Sequence, residues 1–287
     1  MKKYIDYIKE AEEKGVAIGH FNISNIEGLW GIFNSARERD LPVIIGVSEG
    51  ERDFIGVKQV AVLVKSIREE YDYPIFLNAD HTYSFERVKE VVDAGYDSVI
   101  IDGANLPIEE NIEMTKKSVE YARSVNPEIL IEAEIGYIGS SSKMLDELPE
   151  GVAVTEELVT KPNEAKEFVQ KTGIDLLAPA VGTVHGMMKE GLNPKLHIER
   201  IKEIRDACGV PLVLHGGSGS SDSDVGEAIK AGISIVHVST ELRIAYKNAL
   251  KKTLENNPNE LSPYKYMDFP MQEIERVSRE KLNLFNS

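Results

Sequence analysis

Three histidines each close an apolar run, in YPIFLNADH, IDLLAPAVGTVH and VPLVLHGGSG, at His81, His185 and His215. If these runs are neighbouring strands, the imidazoles meet at one rim, and three nitrogen ligands with a fourth position open suit a catalytic zinc better than a structural one. Asp80 stands directly before His81, placed to take a proton near that metal. Gly216, Gly217, Ser218 and Gly219 directly follow His215 and form a loop that can hold a phosphate. Metal, base and anion site together point to chemistry on a phosphorylated carbonyl compound. Each group also has a plainer reading. His81 alone could be a cap or a surface residue, Asp80 could cap the helix beginning near Ser84, and Asp102-Gly103 could be a simple turn. Glu134 could pair with a buried cation. HGGSG could be a turn without a ligand, since it lacks both the GxGxxG fingerprint and the Walker lysine.

The elements that must position these groups are eight short apolar runs, at 16–20, 43–47, 75–79, 98–101, 129–134, 175–179, 211–215 and 234–238. Helical patterns separate them, at 26–39, 57–70, 84–94, 109–125, 163–171, 195–207 and 222–231, with another at 241–256. In the stretch after Ser84, Phe85, Val88, Val91 and Val92 make one apolar face and Glu86 and Lys89 stay outside. Asn25 or Ser24, Ser84, and Asp222 or Ser223 are the expected caps, and Gly15, Gly95, Gly173, Gly209 and Gly232 the expected stops. Strands alternating with helices predict a parallel sheet, and eight such units predict an α/β fold of (β/α)8 TIM-barrel type. A first helix at 2–14 precedes the barrel and a C-terminal extension at 257–287, with a helix near 270–282, follows it. The whole chain, 1–287, reads as one barrel domain, with 136–161 as a mobile rim loop rich in glycine and serine.

Reactive groups of such a barrel lie at the carboxyl ends of its strands. Those ends carry His20 and Asn22, Ser48 and Glu49, Asp80 and His81, Asp102 and Gly103, Glu132 and Glu134, and then His185, His215 and His237. Polar residues at the same end of nearly every strand are hard to reconcile with a barrel built only for packing.

Composition narrows the partners. The 287 residues hold 33 Lys and Arg against 48 Asp and Glu, a net charge of −15, which argues against nonspecific nucleic-acid binding. The one cysteine, Cys208, cannot form an intrachain disulfide and reads as packing at a helix end. The opening MKKYIDYIKEAEEKG lacks the apolar core of a secretory signal, and no membrane-length apolar run occurs, so a cytoplasmic protein without membrane contact is expected.

The motifs LNADH (77–81), SVIIDGANLPIEENI (98–112), IEAEIG (131–136), VGTVHG (181–186), PLVLHGGSG (211–219) and VSTELR (238–243) carry a family resemblance. In their order and over nearly the whole chain, the sequence resembles the class II, zinc-dependent fructose-bisphosphate and tagatose-bisphosphate aldolases. The resemblance implies a lyase of carbohydrate metabolism or glycolysis that binds one zinc ion per chain on His81, His185 and His215. It implies Asp80 as the proton shuttle, Glu134 beside the metal and Asp102 as an organising group. Gly182, Gly216, Gly217, Ser218 and Thr240 correspond to the phosphate-binding surface, and Ser48 to a serine near the substrate. A monovalent cation (Na+ or K+) near the phosphate and a homodimer or homotetramer are also implied.

The departures from the family pattern are informative. His237 stands where an asparagine that touches substrate is usual, so it is either a tolerated swap or a changed donor near the carbonyl. The rim loop has Ser140, Ser141, Ser142 and Lys143 where acids are expected, and Asp146 or Glu147 could substitute only if the loop folds differently. Lys161 replaces an aspartate, and His20 stands where a small residue is common.

The expected reaction is aldol cleavage of a ketose 1-phosphate or 1,6-bisphosphate to dihydroxyacetone phosphate and an aldehyde. The phosphate would sit on the 216–219 loop and near Ser239 and Thr240, with Asn22 on the substrate side. Zinc would act as Lewis acid, Asp80 as base, and His237, Glu147 or water as the final proton donor. Lys143, Arg52 and Arg243 are the candidate contacts for a distal phosphate. A Schiff-base route lacks a lysine at any strand end. A zinc-dependent hydrolase or isomerase of a sugar phosphate and a noncatalytic sugar-phosphate-binding protein are the alternatives.

Overall fold

A computed structural model describes residues 2–139, 142–190 and 193–287. In chain order it runs α1 (Tyr4–Lys14), β1 (Ile18–Asn22), α2 (Ile26–Glu38), β2 (Val43–Val47), α3 (Glu49–Ile55), α4 (Val57–Tyr71), β3 (Ile75–Thr82), α5 (Phe85–Asp93), β4 (Ser98–Ile101), α6 (Ile108–Val125) and β5 (Leu130–Ile135). It continues with β6 (Met144–Leu145), α7 (Pro162–Thr172), β7 (Leu176–Pro179), β8 (Met187–Met188), α8 (Ile198–Cys208), β9 (Leu212–Leu214), α9 (Asp222–Lys230), β10 (Ile233–Val238), α10 (Thr240–Asn256), α11 (Pro263–Tyr266) and α12 (Asp268–Phe285). Among the described residues, eight parallel strands in the order β1-β10-β9-β7-β5-β4-β3-β2 close into a barrel, because β1 pairs with both β10 and β2. This is the expected (β/α)8 barrel with an N-terminal helix and a C-terminal helical extension.

The inner face of the barrel is built in layers two residues apart, the period of a strand. The lowest layer is apolar: Ile18, Ile44, Phe76, Leu130, Leu176, Val213 and Ile235 cluster with Tyr4 and Ile8 of α1. Helix α1 thus closes the amino-terminal end of the barrel, with Tyr4 stacked on Phe76 at 4.2 Å between centroids. One step up, the same strands carry His20, Gly46, Asn78, Glu132, Ala178, His215 and His237, and the core turns polar. The outer faces (Phe21, Ile45, Leu77, Val99, Ile131, Leu177, Leu214 and Val236) pack under the surrounding helices. Each such fully buried side chain contributes about 1.5–3 kcal/mol of transfer free energy.

Helix termini largely follow local chemistry. Asn25 Oδ1 accepts from the Gly28 amide and Ser84 Oγ from the Arg87 amide, as expected of the two caps. At α9 the cap is instead Ser221, whose Oγ accepts from the Asp224 amide, so Asp222 and Ser223 lie inside the first turn. Gly173 and Gly209 stop α7 and α8 with φ of 71° and 69°, backbone that favours glycine.

Three elements depart from the sequence reading. β1 lies two residues later than 16–20, because the Ala17 amide bonds the Phe285 carbonyl of α12 and strand pairing begins at Ile18. His20 therefore sits in the middle of a strand, inside the barrel, and not at its end. α3 has no counterpart among the helical patterns of the sequence, since EGERDFI is only seven residues long, holds a glycine and shows no apolar stripe. The helix expected near 270–282 is the longer α12, which packs on α2 and α10 of its own barrel with Ile274, Val277, Leu282 and Phe285 buried.

Candidate active site

Asp80 and His81 are adjacent, and a regular strand would send them to opposite faces. The β3–β4 register runs Ala79↔Val99 and then Thr82↔Ile101, so β3 carries one extra residue there. His81 takes φ 45°, uncommon outside glycine. This bulge turns both side chains to the rim, a device often found beside active sites. Arg52 of α3, fully buried, holds the bulge in place. Its Nη1 donates to the carbonyls of Val47 (2.8 Å) and Asp80 (3.0 Å), and its Nη2 to Thr82 Oγ1 (3.0 Å).

One ring nitrogen from each of His81, His185 and His215 lies within 4.8 Å of the others. Hydrogen bonds on the opposite edges decide which nitrogens those are. His185 Nδ1 faces the Gly139 carbonyl at 2.6 Å, which leaves Nε2 as the free lone pair. His81 Nδ1 faces Asp102 Oδ2 at 2.9 Å and Glu134 Oε1 at 2.8 Å, which again leaves Nε2. His215 Nε2 faces Glu132 Oε1 at 2.7 Å, so its Nδ1, which makes no hydrogen bond and has Glu134 Oε1 3.3 Å away, is the edge left for a metal. Convergent lone pairs, each oriented from behind by an acceptor, fit a divalent cation held by three nitrogens.

The electrostatics agree with that fit. Burial alone would push the His81 pKa down, but the Asp80 and Glu134 carboxylates raise it well above the ordinary value. At His215 burial is likewise outweighed, by Glu134 and Glu132, and the pKa rises to about 10. His185 is dominated by burial and falls to about 4. Burial would raise Glu134, yet His81 and His215 hold it well below the carboxylate range. Burial would raise Asp80 as well, and His81, His237 and His20 hold it well below that range. The carboxylates thus favour the charged form of His81 and His215, while burial keeps His185 toward the neutral form.

Asp80 is oriented by Asn22, whose Nδ2 donates to Asp80 Oδ2 at 2.7 Å and to Glu51 Oε2 at 2.9 Å. Asp80 Oδ1 is buried without a hydrogen bond, 3.6 Å from His237 Nδ1 and 3.7 Å from His81 Nε2. Glu51 is a hub, accepting also from the Ser48 amide and hydroxyl and from Arg243 Nη2.

The cavity at the barrel mouth is lined by Asn22, Asp80, His81, Ser142, His185, Gly186, Gly216, Ser218, His237, Ser239 and Thr240. Ser218 Oγ lies 3.3 Å and 3.4 Å from the amides of Ser239 and Glu241, joining the loop after β9 to the first turn of the 17-residue helix α10. That helix aims its positive end at the cavity, which suits an anion. Asn193 stitches the neighbouring loops, donating to the carbonyls of Gly186 and Ser218. A larger hollow between α10 and α12, lined in part by Ile244, Lys252 and Phe269, holds none of the three convergent histidines.

The family Fructose-bisphosphate aldolase class-II matches residues 2–287. The chain belongs to that family. It is 37% identical over 281 residues to a fructose-bisphosphate aldolase of Staphylococcus epidermidis, covering 97% of this chain and 94% of that one. It is 38% identical over 285 residues to a probable fructose-bisphosphate aldolase of Bacillus subtilis, covering 98% and 96%. Among solved structures, the YdjI aldolase from Escherichia coli K12 superposes with a TM-score of 0.83 at 31% identity, covering 100% of this chain and 98% of that one. Family membership supports aldol cleavage of a ketose bisphosphate in general terms.

Several expected class II aldolase residues stand back from the cavity. The Ser48 hydroxyl is committed to Glu51 at the start of α3. Asp102 and Glu134 lie behind His81, Glu134 Oε1 is also 3.3 Å from His215 Nδ1, and among the described residues no Lys or Arg pairs with Glu134. The Gly217 amide donates to the His237 carbonyl, and a side chain at Gly217 would meet that carbonyl at 2.7 Å, so close packing accounts for this glycine. Gly182 faces the Lys195 carbonyl, where a Cβ would come within 2.5 Å.

Of the cations considered for a distal phosphate, Arg52 is buried in the bulge, and Arg243 places Nη2 on Glu51 while its side chain stays partly exposed. Lys143 is exposed. The expected rim loop, 136–161, is tied to the segment that follows β7 through β6, which pairs with β8, and through Asp146, which accepts from Lys189. Ser140 and Ser141 lie outside the described residues. Glu147 is exposed and Lys161 bonds the Glu156 carbonyl, and neither lines the cavity. Cys208 is half-buried at the end of α8, with its thiol pushed up to about 11 by burial.

Sequence reasoning gave no role to Glu132, Asn78, Glu51 or Asn193. Glu132 was within reach, since it lies two residues before Glu134 on the same strand face. Glu51 belongs to a helix without a periodic signal.

Proposed function

We propose that this chain is a metal-dependent aldolase that reversibly cleaves a ketose 1-phosphate or 1,6-bisphosphate of the fructose or tagatose type to dihydroxyacetone phosphate and an aldehyde. The observation that carries the reading is the Asp80 carboxylate, with one oxygen held by Asn22 and the other without a hydrogen bond, beside three convergent imidazoles. The phosphate end of the substrate rests on Gly216, Ser218, Ser239 and Thr240 at the amino end of α10. His81 and His185 through Nε2, and His215 through Nδ1, would hold one zinc ion, which supplies Lewis-acid stabilisation of the negative charge that develops during cleavage. Asp80 accepts the C4 hydroxyl proton as the C3–C4 bond breaks and the aldehyde leaves; the electron pair stays on the three-carbon fragment. That fragment takes a proton at C3 to become dihydroxyacetone phosphate. Of His237 and Glu147, only His237 lines the cavity, and it is the side chain assigned to that proton or to the adjacent oxygen. A monovalent cation beside the phosphate and a homodimeric or homotetrameric cytoplasmic enzyme belong to the same reading.

The test is metal content measured together with release of dihydroxyacetone phosphate from a panel of ketose mono- and bisphosphates, in wild type and Asp80→Ala. The expected result is chelator-sensitive release, lowered about 10²–10⁴-fold by Asp80→Ala with metal retained. About one zinc per chain with no release from any substrate would overturn the reaction, and activity within about tenfold of wild type in the variant would overturn the role of Asp80.

A further inference from the structure

His20 and His237 are direct partners in the β1–β10 ladder. Their rings lie face to face with centroids 3.5 Å apart and planes 2° from parallel. The other face of His237 stacks on His215, at 4.1 Å and 24°. His237 is therefore held on both faces, and only its edge is left to meet the cavity and Asp80.

The lower ring of this stack is itself anchored. Asn78 Nδ2 donates to Ser98 Oγ at 2.8 Å, which turns Asn78 Oδ1 toward His20 Nε2 at 3.1 Å. On the neighbouring strand Gly46 makes the room: a Cβ there would come within 2.1 Å of His20 Cε1. Four strands thus contribute to fixing one buried imidazole that is not part of the lining of the barrel-mouth cavity.

We propose that His20 is a positioning residue for His237: its ring, fixed by Asn78 and seated on Gly46, sets the plane in which the His237 edge meets substrate. The inference rests on the aldolase reading for the consequence of that placement, though not for the placement itself. It also accounts for two departures from the family pattern, His20 and His237, as one stacked unit.

The experiment is a double-mutant cycle of His20→Ala and His237→Asn, with His20→Gln as the conservative variant. Glutamine keeps a flat terminal amide and a donor for Asn78 in no larger a volume. Metal content, kcat and KM are measured for the best ketose phosphate. Histidine ring nitrogen spectra are recorded on the metal-free proteins.

His20→Ala is expected to lower kcat by up to about 10²-fold, the cost of a misplaced group, with metal content unchanged. His20→Gln should recover most of that loss, and in the His237→Asn background His20→Ala should change kcat by less than about twofold. An equal loss in both backgrounds, or a His20→Ala enzyme with wild-type kcat, overturns the proposal. If His20→Ala does not fold, a kcat loss above about tenfold in His20→Gln overturns it and a kcat near wild type supports it. If the wild type cleaves no ketose phosphate, the aldolase reading fails and the spectra decide alone. His237 signals that shift or broaden in His20→Ala support the placement, and unmoved signals overturn it.

Discussion

Glu132 Oε1 lies 2.7 Å from His215 Nε2, and both side chains are almost wholly buried. The carboxylate directs the other nitrogen of His215 toward His81 and His185, and it compensates positive charge at the site. Glu132→Gln keeps the shape and removes the charge. Metal affinity should fall about 10–100-fold, the usual cost of losing a partner behind a histidine ligand. Competition with a chromogenic chelator reads this directly, alongside a circular dichroism spectrum that should match wild type; an unchanged affinity would remove Glu132 from the metal centre.

The raised pKa values of His81 and His215, the latter about 10, mean that both rings carry protons at neutral pH in the metal-free protein. A metal must displace those protons, so binding releases them and is opposed by falling pH. Apparent zinc affinity should therefore rise with pH from 6 to 8, by up to about a hundredfold per pH unit where both protons are lost, because each proton released contributes a factor of about ten. Calorimetry in buffers of different ionisation enthalpy would count the protons. Binding without proton release would show that the two histidines are already neutral.

Arg52 has no route to solvent, and it satisfies two buried carbonyls, those of Val47 and Asp80. Arg52→Ala leaves both without this donor, at about 1–3 kcal/mol each. A clear drop in the urea midpoint is expected, together with loss of cleavage, because the bulge that aims Asp80 and His81 loses its clamp. Arg52→Lys should recover little, since an ammonium lacks the planar fork that reaches Val47, Asp80 and Thr82 at once. A midpoint unchanged in Arg52→Ala would show that the bulge holds itself.

Much of the site is legible along the chain. His81, His185 and His215 could be grouped because each follows an apolar run, and residues after parallel strands of a barrel share one rim. Asp80 and the glycine loop were legible for the same reason. The buried layer beneath was not. His20 looked like an end residue because the start of β1 is set by the bond from Ala17 to Phe285, some 270 residues away along the chain. Glu51 and Arg52 were hidden because seven residues around a glycine show neither helical nor strand periodicity.

The order of strands and helices, and the polar types at strand ends, follow from the sequence by itself, since both rest on local periodicity and spacing. Which nitrogen of each histidine stays free, and how Asp80 and His81 come to face the same cavity, were decided only by the tertiary structure. The reason is that the deciding partners are distant in sequence. Glu132 sits 83 residues from His215, Gly139 46 residues from His185, and Arg52 28 residues from Asp80. Those contacts exist only once the barrel has closed.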